Sequence, residues 1–266
     1  MNQESNEITL WGVGVGPGAS DLLTLRALQT LRDAPVLAIP RANRHRPSLA
    51  WRIVKPHLED MEGQERLDLI FPMTKDPEIL KPAWAEAIEA IGSHLSAGRS
   101  VAFITQGDPM IYSTFNYLAD DIAERWPHVK IRWVPAVTSI SAVPATLGLP
   151  LADGQERIAI VPVTYGVDDL RDIIQKFDSI VLMKVTKQLP TILEALEAEN
   201  LLDRAYYVER ATTDQQRIVR DITSLKDDKC VYFSMIIIAK KQRSGVLAGD
   251  RPLTAGTQEQ LAGVRP

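Results

Sequence analysis

The residue types best suited to chemistry sit in short loops, each directly behind an apolar run. Behind Val101–Ile104 comes a turn ending in Gly107-Asp108-Pro109, followed at once by Met110-Ile111-Tyr112-Ser113-Thr114-Phe115. Gly107 permits close backbone approach, Pro109 ends a strand, and the Asp108 carboxylate accepts hydrogen bonds from a ligand or from its own turn. In α/β proteins, loops leaving the carboxyl ends of buried strands are where ligands bind. A plain strand-to-helix turn has the same composition, so the triplet takes its weight from its surroundings.

Gly12, Gly14, Gly16 and Gly18 invite a dinucleotide-binding reading, but the spacing refuses it. The G-x-G-x-x-G pattern would need glycine where Pro17, Ala19 or Asp21 stands. No P-loop lysine follows, and Pro17 removes an N–H that a phosphate cradle would use. This loop faces something other than a pyrophosphate, or is a tight turn without a ligand. The run Pro135-Ala136-Val137-Thr138-Ser139-Ile140-Ser141 puts hydroxyls at a helix start, where they normally serve as caps. The same backbone N–H groups suit a carboxylate or a ribose. Glu209-Arg210-Ala211-Thr212-Thr213-Asp214-Gln215-Gln216 is a third polar loop behind a strand.

Arg41, Arg44, His45 and Arg46 form a basic loop in an otherwise acidic chain. A small polyanionic ligand would account for it, and so would a solvated surface loop. Met110, Met183 and Met235 lie near strand ends, where methionine usually fills core. The four histidines, at 45, 57, 94 and 128, show no ligand spacing, and Cys230 is the only cysteine. An internal disulfide and a thiolate metal cluster are thereby excluded, and no metal site is expected. Cys230 reads as a small buried hydrophobe heading a strand. Spacing yields no Ser-His-Asp set, no Cys-His set and no carboxylate pair.

The elements that would position these loops alternate between strand and helix. Ile8–Val15 reads as a strand and Ser20–Arg32 as a helix, with Ser20 as N-cap and Leu22, Leu25, Leu28 and Leu31 as its stripe. Strands Val36–Ile39, Val101–Ile104 and Ile131–Val134 follow, with helices Pro82–Leu95, Tyr112–Arg125 and Ser139–Leu147. Beyond a hinge at Gly148 to Gly154, strands Arg157–Val163 and Ser179–Met183 flank the helix Asp168–Phe177. Then come helix Gln188–Glu199, strand Ala205–Val208, a β-like Gln216–Val219 and the β-branched run Val231–Ala239. Three β-rich segments so close together predict an antiparallel element. The fold class is therefore α/β, with a mainly parallel first domain over 1–147 and a hinge at 148–156. A second, mixed-sheet domain over 157–242 and a polar tail over 243–266 complete it.

Bulk properties set the outer limits. A chain of 266 residues that is 45% hydrophobic can bury two ordinary domain cores. A net charge of −4 argues against a dedicated nucleic-acid binder. No apolar run approaches membrane-span length, and Met1 to Glu7 is polar and acidic, unlike a secretory signal. A cytoplasmic enzyme is the default expectation.

Taken together, the loops resemble those of the tetrapyrrole methylase family, S-adenosylmethionine-dependent enzymes of cobalamin and sirohaem synthesis. The matching segments are Gly12-Val-Gly-Val-Gly-Pro-Gly18 with Leu22-Leu23-Thr24-Leu25-Arg26-Ala27, then Gly107-Asp108-Pro109 and Val134-Pro135-Ala136-Val137-Thr138-Ser139. Met183-Lys184 and Glu209-Arg210-Ala211-Thr212-Thr213 follow in the family's order. Tyr112-Ser113-Thr114-Phe115, and Ser141–Leu147 with Gly148-Leu149-Pro150, are similar to the family's methylases of the C(20) carbon of precorrin-2. Ala19-Ser20 and Ala136 depart from the family's usual Asp-Pro and glycine. The resemblance implies two domains with an active-site cleft between them, a homodimer, and S-adenosylmethionine as methyl donor. It implies cofactor contacts from Pro17, Gly107, Asp108, Ile111 and Tyr112, from Thr138 and Ser139, and from Met183, Ala211 and Met235. The substrate would be precorrin-2 or cobalt-factor II, its acetate and propionate groups meeting Arg41, Arg44, His45 and Arg46. Tyr112 would orient the macrocycle or assist a proton transfer. A sister methylase acting at another ring carbon, and a noncatalytic tetrapyrrole- or nucleotide-binding protein, are the alternatives.

Overall fold

A computed structural model describes residues 7–241, apart from 75, 167 and 227. The chain divides into two compact units, residues 1–139 and 140–266. The expected tail over 243–266 lies outside the described residues.

In the first unit five strands form one sheet: β1 (Thr9–Gly14), β2 (Val36–Arg41), β3 (Glu65–Ile70), β4 (Val101–Thr105) and β5 (Lys130–Val134). Their order is β3-β2-β4-β1-β5 and every pairing is parallel. Alternation along β4 divides its side chains between two cores. Val101 and Phe103 pack with the helices α3 (Pro77–Ser96) and α4 (Phe115–Arg125), while Ala102 and Ile104 pack with α1 (Leu25–Asp33) and α2 (Leu49–Leu58). With both faces covered, the inner strands of this sheet must be apolar on both sides, as the run Val-Ala-Phe-Ile of β4 is.

Three expectations about this unit change, the first being that the helix expected over Pro82–Leu95 already starts at Pro77, with Asp76 as its cap. The helix expected over 20–32 is a 3-10 turn at Ser20–Leu22 followed by α1, whose cap is Thr24: its hydroxyl accepts from Ala27 N at 3.1 Å. Satisfying that N–H locally favours a break just before Leu25, which is left 86% exposed rather than in the core stripe. The helix expected from Tyr112 starts only at Phe115. Nor did the pattern reveal α2, which carries Pro56 internally, or β3, an edge strand of alternating charge and partial exposure.

The second unit holds β6 (Ile158–Pro162), β7 (Ser179–Met183), β8 (Ala205–Glu209), β9 (Arg217–Val219) and β10 (Ser234–Ala239), in the order β6-β7-β10-β8-β9. The expected antiparallel element is present: β10 runs opposite to both β7 and β8, and β9 opposite to β8. Helices α6 (Leu170–Lys176) and α7 (Leu189–Ala198) cover one face through Leu170, Ile174, Ile192 and Leu196. On the other face α5 (Ser139–Leu147) lays Ile140, Val143 and Leu147 against Val181, Val208, Met235 and Ile237. This helix therefore packs with the second unit. The strand expected from Val231 begins at Ser234, so Cys230 does not head it; the thiol is only partly buried, in the preceding loop. Among the described residues, no helix is long and apolar enough to cross a membrane.

Candidate active site

Parallel pairing of β1 with β4 and β5 brings three loops out side by side at the carboxyl end of the first sheet. Main-chain bonds then lace the first two together. Val15 N donates to Thr105 O at 2.9 Å, and Gly107 N to Gly16 O at 2.8 Å. Gln106 adds a side-chain tie, its Nε2 donating to Pro17 O at 2.8 Å. Gly16 and Gly107 make this close exchange at φ of +88° and +72°, in the left-handed region where a side chain is strained.

Asp108 fastens the second loop to the third. One carboxylate oxygen accepts from Met110 N and the other from Ala136 N, both at 2.8 Å. Beneath them lies Gly14. A Cβ there would stand 2.6 Å from Ala136 Cβ, 2.7 Å from Gly107 O and 2.8 Å from Pro109 Cδ. Gly14 and Gly16 thus serve contact between loops, Gly12 makes room for the Phe115 ring of α4, and Ala136 fills the space that Gly14 leaves. Gly107 differs: nothing lies within 4 Å of a Cβ built on it, so its outer side is open to a ligand.

Past this clasp the chain turns outward. Tyr112 takes a φ of +50° and is half exposed, beside the exposed Met110 and Ile111. The next residues anchor the turn: Ser113 Oγ is buried, 3.2 Å from Thr105 Oγ1, and accepts from Phe115 N. Asn116 Nδ2 donates to Pro109 O, and Trp133 Nε1 to Asn116 Oδ1. The turn is thus a strained backbone pinned on both sides, with apolar side chains in solvent.

The basic loop follows β2. Arg41 Nε lies 2.6 Å from Asp68 Oδ1, a partly exposed pair that aims the guanidinium more than it stabilises the fold. Asn43 Oδ1 accepts from the backbone N of His45 and of Arg46, which shapes the turn. Arg41 and Arg44 line a pocket of about 450 Å³ together with Asp68 and Glu86. His45 and Arg46 do not line it.

In the second unit the antiparallel strand β10 starts where β7 and β8 end. Met235 is the register partner of both Met183 and Val208, and Met183, Met235 and Ala211 share one apolar cluster. Three side chains singled out from the sequence are thereby brought together. Lys184, Arg210 and Thr212 just beyond the strand ends have φ of 61°, 48° and 65°. Lys184 N donates to Ser234 O at 2.9 Å and Arg210 N to Phe233 O at 2.8 Å, which fixes both turns. Below the second turn, the fully buried Tyr207 donates its hydroxyl to Glu209 Oε2 at 2.6 Å. Burial, with the bond to Glu209, pushes the Tyr207 phenol far above its ordinary range, so it remains a donor. Thr138 and Ser139 stand at the start of α5, both partly buried.

Sequence reading missed Gln106, the Gly14–Ala136 contact and the Tyr207–Glu209 pair. Only the last had a local signal, two polar-tipped residues two apart on one strand. The others depend on which strands are neighbours. Among the described residues, no three His, Cys, Asp or Glu side chains group as a metal site would require.

Comparison with known proteins decides the family. A model described as tetrapyrrole (corrin/porphyrin) methylases matches residues 9–226. The chain belongs to that family. It is 34% identical over 249 residues to the cobalamin biosynthesis protein CobIJ of Mycobacterium tuberculosis, covering 91% of this chain and 48% of the relative. The chain thus spans about half the length of that relative. With the probable cobalt-precorrin-2 C(20)-methyltransferase of Methanocaldococcus jannaschii it is 37% identical, covering 88% of this chain and 97% of the relative. The precorrin-2 C(20)-methyltransferase of a Sinorhizobium species is 32% identical, with 86% and 94% covered. Among solved structures, the uroporphyrin-III C-methyltransferase of Thermus thermophilus complexed with S-adenyl homocysteine shares the fold, at a TM-score of 0.63 and 23% identity. That likeness covers 87% of this chain and 92% of the other.

Proposed function

We propose that this chain methylates the C(20) meso carbon of precorrin-2 or cobalt-factor II in cobalamin biosynthesis, with S-adenosylmethionine as donor. What carries this reading is the nearly end-to-end match to relatives named for that reaction, 97% of the Methanocaldococcus protein being covered. The donor brings an electrophilic methyl group on a sulfonium, and a neutral thioether leaves when the macrocycle's carbon attacks. An enzyme for such a transfer needs in-line positioning above all, and a strong base only for the later loss of the meso proton. The absence of a readable catalytic dyad fits that demand.

The residues present suit such a donor. The open side of Gly107, flanked by exposed Met110, Ile111 and Tyr112, offers backbone polar groups and apolar surface together. Contacts are assigned to Pro17, Gly107, Asp108, Ile111 and Tyr112, to Thr138 and Ser139, and in the second unit to Met183, Ala211 and Met235. Tyr112 orients the macrocycle or assists the proton transfer. Arg41, Arg44, His45 and Arg46 meet substrate carboxylates, and the pocket beside Arg41 and Arg44 supports the first two. A homodimer and a cytoplasmic location belong to the same reading, the former checked by sedimentation.

The test is incubation of the purified chain with labelled S-adenosylmethionine and, in parallel, metal-free precorrin-2 and cobalt-factor II, the product read by mass and NMR. Methyl appearance at C(20) supports the reading, and the faster arm identifies the form used. Methylation at another ring carbon assigns the chain to a sister activity. No transfer to either form overturns the proposal.

A further inference from the structure

The end of the second sheet carries more than the methionine cluster. Lys184 holds its left-handed backbone directly after β7, and its Nζ lies 5.4 Å from the centre of the Tyr232 ring. Tyr232 in turn meets Phe233 edge to face, with ring centres 5.2 Å apart and planes at 89°. Phe233 is 42% exposed, and its carbonyl is taken by Arg210 N, so the loop is fastened with that ring facing outward. A single exposed phenylalanine needs no explanation. Here an outward ring, a second ring and a cation held at strained geometry stand together, at the strand ends that also bear Met183, Ala211 and Met235.

We propose that Lys184, Tyr232 and Phe233 form a substrate-recognition platform for the tetrapyrrole, the outward Phe233 ring meeting the flat apolar macrocycle, Tyr232 backing that ring edge to face, and the Lys184 ammonium pairing with a peripheral carboxylate. This rests on the reading of the chain as a tetrapyrrole methylase acting on a precorrin-2-type substrate. A reduced macrocycle is broad and apolar across its faces and anionic around its rim. An edge-to-face aromatic pair offers apolar area at little cost in side-chain freedom. An ammonium held near one of those rings is already oriented, which favours pairing with an incoming carboxylate. Bending the backbone at Lys184 is what sets the cation beside the rings rather than along the strand direction.

The experiment uses the full chain and two probes: uroporphyrin III, a stable polycarboxylate tetrapyrrole, followed by fluorescence, and S-adenosylhomocysteine, followed by calorimetry. The variants are Lys184→Gln, Lys184→Arg, Phe233→Ala and Phe233→Leu. Tetrapyrrole affinity is expected to fall tenfold or more in Lys184→Gln and Phe233→Ala, with S-adenosylhomocysteine affinity within twofold of the parent. Lys184→Arg and Phe233→Leu recover part of the loss. If the parent chain binds the tetrapyrrole and the variants bind it equally well, the platform is wrong while the methylase reading stands. Equal losses for both probes, in the mild Phe233→Leu variant as well, also overturn it, since the residues would then merely support the fold. A parent chain that binds no uroporphyrin III overturns the platform, while the methylase reading stands or falls on the transfer assay with precorrin-2 and cobalt-factor II.

Discussion

Both oxygens of the Asp108 carboxylate are used, one on Met110 N within its own turn and one on Ala136 N across the gap between loops. An asparagine has only one acceptor oxygen, so Asp108→Asn must abandon one N–H and point an amide at it. Loss of a bond to a charged acceptor is worth about 1.5–3 kcal/mol. Since both loops are assigned to the cofactor, affinity for S-adenosylhomocysteine should fall roughly tenfold, each 1.4 kcal/mol being a factor of ten. Calorimetry on the variant checks this, and unchanged affinity would remove Asp108 from cofactor positioning. Tyr112 calls for a different measurement. Its strained, outward position suits a group that touches substrate, so Tyr112→Phe, which keeps the ring assigned to the cofactor and removes only the hydroxyl, should lower kcat by about a hundredfold or more, the range of positioned proton donors. Unaltered turnover would leave the hydroxyl no chemical role.

Elements settle how those residues meet, and here the limits of sequence reading are physical. Helix α5 and strand β7 have the predicted bounds because hydroxyls and then Gly148 mark the ends of the first, and the apolar run Ile180–Met183 between charged Asp178 and Lys184 marks the second. Helix α1 does not, because the choice between Ser20 and Thr24 as cap turns on which N–H each hydroxyl reaches. The loops themselves were legible as strand ends. What could not be read is that β1 lies between β4 and β5, the fact that turns three loops into one clasp. In the second unit, the start of β7 is pinned by Asp178, whose carboxylate accepts from Arg157 N at 2.9 Å with Lys241 Nζ 3.1 Å away. The bond from Arg157 N, then Lys241, holds the Asp178 carboxyl below the ordinary carboxylate range; a bond from Arg99 does the same for Glu65 on β3. Such depressed values stabilise the fold above the ordinary carboxyl pKa near 4, and the stabilisation is lost as pH falls through the native values. Denaturant unfolding should therefore show stability level from about pH 7 to 5 and declining below, a decline that Asp178→Asn and Glu65→Gln both make shallower. A decline of parental steepness in both variants would exclude these carboxyls as its source.

At the scale of the whole molecule, a protein of net charge −4 is proposed to take an anionic substrate. For a ligand of about −8 at ~20 Å, the repulsion is on the order of 3 kcal/mol in 0.01 M salt and 1 kcal/mol in 0.1 M. Contact pairs with Arg44 or Lys184 are weakened only at higher salt. Uroporphyrin III affinity should thus rise from low to moderate ionic strength and fall beyond it; a steep fall from the lowest salt onward would mean that the global charge is irrelevant. The strand order of the second sheet has a consequence of another kind. β10, the last strand among the described residues, sits in the middle of its sheet and supplies the register partner of both Met183 and Val208. During synthesis the first unit's clasp has all its residues once Ala136 has left the ribosome, whereas the second sheet stays two separate halves until Ala239 emerges. A chain terminated before β10 would carry one complete loop cluster beside two half-sheets with unpaired edges, and such edges invite aggregation.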